Sequence, residues 1–558
     1  MQSPSKSFAP HWNLPLRSVL LLALALASPL HAQSAPDAMP PGHMVLVLPF
    51  ENRTGDASLG WIGDSFPETL DRRLNSSGFL TISHDDRVYA FDHLGLPAGF
   101  RPSRATTIRI AQQLDANFVI IGSYTVQPNA AAGAAQPGGP AQKPERLSIQ
   151  AQVLSIDDLR LSPPVQDGSE LDRLFDAENA IAWKVARVMD PHFSVAEPTF
   201  LAAPGAVPLP AFEDYIRGTD APTATERLQR LKAAVALAPN YSAALLALGK
   251  EQYAQRDFDA AAGTLAKVPT ADRLALEANF YLGLARFNSA NYDAAAQAFA
   301  FVVGRLPLPE VVNDQGVALS RQGKDATGLF QRASQTDPSD EDYHYNLAIA
   351  LFRRGDTALA LQECDAALKL KPTDNEAIAL RRQLASATPG TRLADHPDAA
   401  FSPLERIRRN YSETGFRQAA FLLDQMRSAR MASLPPAERA AAYVQLGRDF
   451  LTQGLLPEAE TEFNTALEAD PSSADAHAGL AQVRDSSNDL PGARTEAEAS
   501  LKLRPSAAAW LILARVDLAA TQLPACATDV SHALELDPAN PAALSLRQYL
   551  LQRGQPMP

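Results

Sequence analysis

Tyr443-Val-Gln-Leu-Gly-Arg-Asp-Phe450, followed by Gly454, Ala459, Phe463, Ala466 and Pro471, decides the fold of this chain. Gly447 and Ala459 are small because two antiparallel helices must approach closely there. Tyr443, Leu446, Phe450 and Phe463 fill the space around that contact. Pro471 has no N–H to continue the ladder and so stops the second helix. One helix pair of this kind cannot bury its own apolar faces, so the stretch demands neighbours on both sides.

The spacing of Tyr443, Leu446-Gly447, Phe450, Ala459, Phe463 and Pro471 resembles the tetratricopeptide repeat (TPR). That resemblance implies an all-α solenoid of antiparallel helix pairs wound into a superhelix. Upstream, Gly249, Gly283, Gly316 and Ala348 take the close-contact position at a near-constant interval, close to the repeat length of about 34 residues. Their second helices offer Ala261/Leu265, Ala295/Phe299, Ala326/Phe330 and Ala360/Cys364, and Pro307, Pro338 and Pro372 close three of them. Downstream, Ala481 and Ala514 follow Gly447 with the same period, and Pro505 and Pro538 act as stops. The chain therefore divides into a first array (211–384), a hinge or loop (385–401), a second array (402–540) and a capping helix with tail (541–558).

Some repeats depart from the pattern. Residues 211–239 read as a truncated opening pair that caps the first array. The repeat around Gly323 is slightly short, which predicts a tighter turn or a shifted register. Pro403–Met431 reads as a degenerate repeat carried by Tyr411, Gly415, Ala420 and Leu423. His477 and Trp510 fill the aromatic slot of Tyr443, which makes His477 a packing residue. Cys364 and Cys526 face packing neighbours in separate repeats. A disulfide needs Cα atoms within about 7 Å, so both are expected as buried free thiols.

Ahead of the solenoid, Met44-Val-Leu-Val-Leu-Pro-Phe50 reads as a buried strand closed by Pro49. A helix through Phe66, Leu70 and Leu74 follows, then a strand over Phe79–Ser83, a helix over Thr106–Leu114 and a strand over Phe118–Val126. Leu147–Leu154 alternates apolar and polar as a half-exposed antiparallel strand does, and Leu171–Met189 closes the unit as an amphipathic helix. Strands and helices interleave, which defines an α/β amino-terminal domain over 44–192. An Ala/Gly/Pro-rich insertion interrupts it at 129–144, and a Pro-rich linker (193–210) follows. Val47-Leu-Pro-Phe50 with Asn52-x-Thr-Gly55, and Ile110-Ala-Gln-Gln-Leu114 leading into Phe118-Val-Ile-Ile-Gly-Ser123, resemble the TolB amino-terminal-like domain. The resemblance implies a non-catalytic envelope or interaction module.

The stretch 1–32 reads as a secretory signal peptide: Lys6 and Arg17 precede and open a short apolar run, Ser18–Ala27, and Leu30-His31-Ala32 ends in a small residue. The run is shorter than the roughly 20 residues of a spanning helix, so cleavage is expected after Ala32, with a disordered lead-in over 33–43 and no stable transmembrane anchor. Removing Lys6 and Arg17 takes the formal charge from −13 to −15. That balance speaks against nucleic acid and anionic membrane surfaces as partners. The expected location is the periplasm.

No catalytic or cofactor-binding motif emerges, and none is expected. His84-Asp-Asp86 with His93 has no metal-motif spacing and reads as a solvated loop; Gly122-Ser123 lacks the second glycine of a nucleophile elbow. Groove positions of the TPR pattern fall on Tyr253, Phe287, Asn288, Ser320, Arg321, Phe352 and Arg353, with Phe280, Asn313 and Tyr345 one turn earlier on the same face. Aromatic residues interspersed with Asn and Arg suit an extended or helical peptide, including one with acidic character. The regular Asn/Lys/Arg set of chaperone-binding TPR domains is not there. The expectation is a non-enzymatic periplasmic scaffold joining envelope proteins. The alternatives are an accessory subunit of an envelope enzyme or transport system, whose α/β domain binds a small ligand or metal through His84, Asp85 or His93, and self-association through the solenoid.

Overall fold

The computed structural model describes residues 44–96, 102–128, 145–202, 207–395, 402–409, 426–427 and 429–558. The stretches read above as a signal peptide (1–32) and lead-in (33–43), the 129–144 insertion and the Tyr411–Leu423 part of the expected degenerate repeat lie outside the described residues.

The α/β domain is built on one mixed sheet. Strand β1 (Met44–Val47) lies parallel to β3 (Leu80–Thr81) on one side and β4 (Phe118–Pro128) on the other, and β2 (Glu51–Asn52) also runs parallel to β4. Strand β5 (Glu145–Ser155) pairs antiparallel with β4 along its whole length, Val119 opposite Leu154. Strands β6 (Arg160–Leu161) and β7 (Val165–Glu170) add antiparallel edges to β5. Strand side chains alternate between faces. Val45 and Val47 therefore meet α1 (Trp61–Asn75) and α4 (Leu174–Met189), while Leu46 and Leu48 meet α2 (His84–His93) and α3 (Arg104–Gln113). The His84-Asp-Asp86 stretch is thus the first turn of a helix rather than a loop: the Ser83 hydroxyl accepts from the Asp86 N–H at 3.1 Å and caps it.

Between α1 and α4 the Glu178 carboxylate is fully buried and accepts hydrogen bonds from the Ser65 and Thr69 hydroxyls, the latter at 2.7 Å. Burial pushes its pKa up to about 7, against the pull of those hydroxyls and of Arg72. A raised folded-state pKa means that its contribution to stability is complete below the unfolded value near 4.5 and is lost as pH climbs through 7. At about 1.4 kcal/mol per pH unit, that loss is about 3 kcal/mol. Glu178→Gln keeps an acceptor and cannot ionise, so the variant should melt higher than the parent at pH 8 and match it at pH 4.5. An unchanged pH profile in calorimetry would refute this account.

The connector after α4 is more structured than its prolines suggest. It contains a short helix, α5 (Glu197–Leu201), whose Phe200 is fully buried. The opening pair, α6 (Leu209–Thr219) and α7 (Ala224–Leu237), does not cap the array alone. Phe212 packs on Trp61 and Phe175, with ring centroids 6.4 and 4.6 Å apart, and Tyr215 on Tyr241 at 5.2 Å. One core thus runs from the sheet into the first repeat, and the α/β domain covers the array's apolar end. Asp85 adds an ion pair to Lys250 at 2.9 Å across the same junction.

The first array continues as α8 (Ser242–Ala254), α9 (Phe258–Leu265), α10 (Ala275–Asn288), α11 (Tyr292–Val303), α12 (Pro309–Arg321), α13 (Thr327–Thr336), α14 (Glu341–Arg354), α15 (Thr357–Leu370) and α16 (Asn375–Ser386). The second comprises α17 (Pro436–Thr452), α18 (Leu456–Ala469), α19 (Ala474–Ser486), α20 (Leu490–Leu503), α21 (Ala507–Ala519), α22 (Leu523–Leu536) and the terminal α23 (Pro541–Gln552). Each close-contact glycine faces the predicted partner: a Cβ on Gly283 would lie 2.5 Å from Phe299, and on Gly447 2.8 Å from Phe463. The short repeat is resolved differently from expectation. Its turn (322–326) is longer than its neighbours', and α13 is cut to 10 residues. Both cysteines are buried free thiols. His477 packs at its slot and pairs with Glu496 at 2.7 Å.

Inter-helix turns place one residue in the left-handed region: Gly323, Gly355 and Gly454 in three repeats, and Arg256, Ala290, Asn488 and Thr521 (φ 59°) in four others. A β-branched residue there is strained by about 1–2 kcal/mol, while glycine loses some of that gain to its freer unfolded chain. Thr521→Gly should therefore raise stability by about 0.5–1 kcal/mol in urea unfolding; a lower midpoint would contradict it.

The second array returns to the connector. Glu460, fully buried on α18, accepts from the Ala196 N–H at 2.9 Å and from Arg484 at 2.7 Å, and Thr199 meets Ser487 at 3.3 Å. Arg273 pairs with Glu458.

Candidate functional site

The inner face of the first array carries the first-helix residues of α10, α12, α14 and α16, and the chain itself occupies it. Ser402–Arg409 (Ser-Pro-Leu-Glu-Arg-Ile-Arg-Arg) crosses this face without helical structure, where the sequence pattern had suggested a repeat beginning at Pro403.

Its backbone is held by side chains. The Asn346 carboxamide donates to the Arg406 C=O at 2.8 Å and accepts from the Arg406 N–H at 2.7 Å. Asn313 donates to the same carbonyl at 3.0 Å, and Asp314 accepts from the Arg408 N–H at 2.7 Å. Asn346 also donates to Asn313 at 2.7 Å, which fixes both amides. All three gripping residues are fully buried. Burial pushes the Asp314 carboxyl well above its ordinary pKa, although the Arg408 N–H and Asn313 bind its charged form.

An extended chain sends alternate side chains to opposite sides, and the groove is polarised to match. Arg406 and Arg408 turn towards the acidic starts of α14 and α16. The Arg406 guanidinium reaches Asp342 at 2.8 Å, Asp374 at 2.6 Å and Glu376 at 2.7 Å, and lies 3.9 Å above the Tyr345 ring. Such a planar fork stacked on an aromatic face is a role lysine cannot fill. Arg408 pairs with Asp340 and, at 3.3 Å, Asp342, over the Tyr343 ring. The Arg406 hydrogen bonds hold the Asp374 carboxyl below its ordinary value, against the opposing effect of burial. On the other side, Glu405 is buried among Ser320, Arg353 and Arg321, the last also donating to the Glu405 C=O at 3.1 Å. Ile407 packs into the apolar clusters that Phe287 and Leu319 share.

Asn313, Arg321, Tyr345 and Arg353 therefore converge on one segment, and Phe287 joins them through Ile407. Phe280 and Phe352 are buried at 1% and 0% exposure and belong to the helix-packing core beneath. Tyr253 and Asn288 bond weakly to each other at 3.5 Å. Sequence reasoning missed Asn346 and the acids Asp340, Asp342, Asp374 and Glu376. Their signal was a recurrence with the repeat period, Asp340/Asp342 and then Asp374/Glu376. It looks like ordinary helix capping, and Asp340 and Asp374 do cap α14 and α16.

In the α/β domain, His84 contacts Arg87 at 3.1 Å, Asp85 pairs with Lys250, and His93 meets Tyr89 at 3.1 Å. These three residues point to separate neighbours. Among the described residues, no group of three or more His, Cys, Asp or Glu is placed to hold a metal ion, and no helix is long and apolar enough to cross a membrane.

Stacked antiparallel helix pairs around a peptide-filled inner face define an α-solenoid behind an α/β domain. The repeats are tetratricopeptide repeats: the profile of that family matches residues 246–307, 314–375 and 444–508. No curated protein matches the chain. Solved structures that match part of the chain include YrrB, a TPR protein with an unusual peptide-binding site, at 15% identity over 36% of this chain and 98% of its own, with a TM-score of 0.29. MamA is 19% identical over 28% of this chain and 94% of its own, at 0.27. The C-terminal domain of LpoB from Salmonella enterica is 21% identical over 24% of this chain and 87% of its own, at 0.18.

Proposed function

We propose that this protein is a non-enzymatic adaptor of the bacterial cell envelope, exported to the periplasm, that joins other proteins by holding extended segments in its first repeat array. One observation carries the reading: Asn313, Asp314 and Asn346 bind the backbone of an extended segment, as a groove that holds a peptide must. The export reading is supported by Lys6, Arg17 and the apolar run Ser18–Ala27. The α/β domain, similar in its opening motif to TolB amino-terminal-like modules, serves as a second interaction surface and as the solenoid's cap. A photo-cross-linking residue at Phe287 should trap other envelope proteins in intact cells, with the chain in the periplasmic fraction. A cytoplasmic chain, or a Phe287 probe that yields no adducts, would overturn the reading.

A further inference from the structure

The groove is built for a ligand it already contains. We infer that Glu405–Arg408 is an internal stand-in for a partner segment of the same pattern (acid, Arg, apolar, Arg), and that such a segment, extended and supplied by another protein, displaces it. The inference rests on reading the groove as a protein-binding surface and adds what that surface selects.

Three features support exchange rather than permanent cover. The strap takes no helical or strand structure of its own, so its order comes from the groove. Its contacts are those of a recognised peptide: backbone bonds at alternate residues, a stacked and forked arginine, a second arginine on Asp340 and Asp342, and an acid between Arg321 and Arg353. Finally, the face is costly to leave empty. Asn313, Asp314, Asn346 and the acids around Arg406 would lose their partners together, and buried polar groups left unmatched are costly. Only a chain offering the same backbone and charges replaces the strap on equal terms. Charge complementarity identifies it: Asp340, Asp342, Asp374 and Glu376 require two cations on one side of the peptide, and Arg321 with Arg353 requires one anion on the other.

Tethering gives the strap a high local concentration, so a partner meets a groove that is free only a fraction of the time and binds with proportionately weaker apparent affinity. Opening the strap removes that competition. The test uses the purified full chain and a fluorescein-labelled peptide of residues 402–409, read by anisotropy. The Arg406→Ala/Arg408→Ala variant should bind the peptide at least about tenfold more tightly than the parent. A peptide carrying the same two alanines should not bind, and adding Asp342→Asn/Asp374→Asn to the opened chain should abolish the gain. Arg406→Lys/Arg408→Lys, which keeps the charge and loses the fork, should give a smaller gain and serves if the alanine variant folds poorly. Equal affinity in parent and opened chains, or a gain indifferent to the peptide's arginines, would overturn the inference. So would a parent sedimenting at twice its monomer mass and reverting to monomer when the strap is opened, which would place the strap in a second copy. An envelope partner cross-linked equally by parent and opened chains leaves the adaptor reading standing and removes this one.

Discussion

Phe463→Ala is expected to cost the second array about 3–5 kcal/mol, the range for truncating a fully buried aromatic ring. Phe463 is 0% exposed and fills the space between two helices at once: a Cβ on Gly447 of α17 would lie 2.8 Å from its ring, and one on Gly479 of α19 closer still. The two glycines leave no side chain able to close the cavity. In a solenoid the loss falls on the repeat and on its interface with the next. Hydrogen exchange should speed up across α17–α20 and stay unchanged in α8–α15. Uniform protection in the variant would mean that the ring is not the keystone of these repeats.

Asn346→Ala should free the strap while leaving the helices folded. The substitution removes both hydrogen bonds to Arg406 and the one that Asn346 donates to the Asn313 side-chain oxygen. Losing these three bonds, at about 1 kcal/mol each, amounts to about 3 kcal/mol. Where opening is fast relative to cleavage, proteolysis follows the open population, so trypsin should cut after Arg406 and Arg408 about 100-fold faster than in the parent. Cleavage at the parental rate would show that charge pairing alone seats the segment.

The solenoid was legible because its chemistry is local and periodic. Gly447, Ala459 and Phe463 declare a close helix contact within one repeat, and the same contact recurs at Gly249, Gly283 and Gly316. The α/β order was legible for the same reason where strands are apolar, as in Val45–Leu48. It failed where a strand is polar: Val165-Gln-Asp-Gly-Ser-Glu170 pairs as an edge with β5 through its backbone, which needs no apolar residue. The start of α2 was hidden because His84, Asp85 and Asp86 look like a loop, although Ser83 is a good cap. In the groove, Asn313, Arg321, Tyr345 and Arg353 could be placed by repeat register. Their ligand could not. Ser402–Arg409 is charged, lies outside the period and meets residues far back in the chain, such as Asn313 and Asp314. Nothing in a local pattern encodes that pairing.

The return of the second array to the connector gives the strap a mechanical setting. The chain between α16 and α17 links two arrays that are separately fastened where Glu460 binds the Ala196 N–H and Thr199 meets Ser487. Releasing the strap therefore leaves this fastening intact. The exchange inferred above is thereby confined to the inner face of the first array: residues 402–409 can leave the groove while Glu460 and Ser487 keep the second array on the connector.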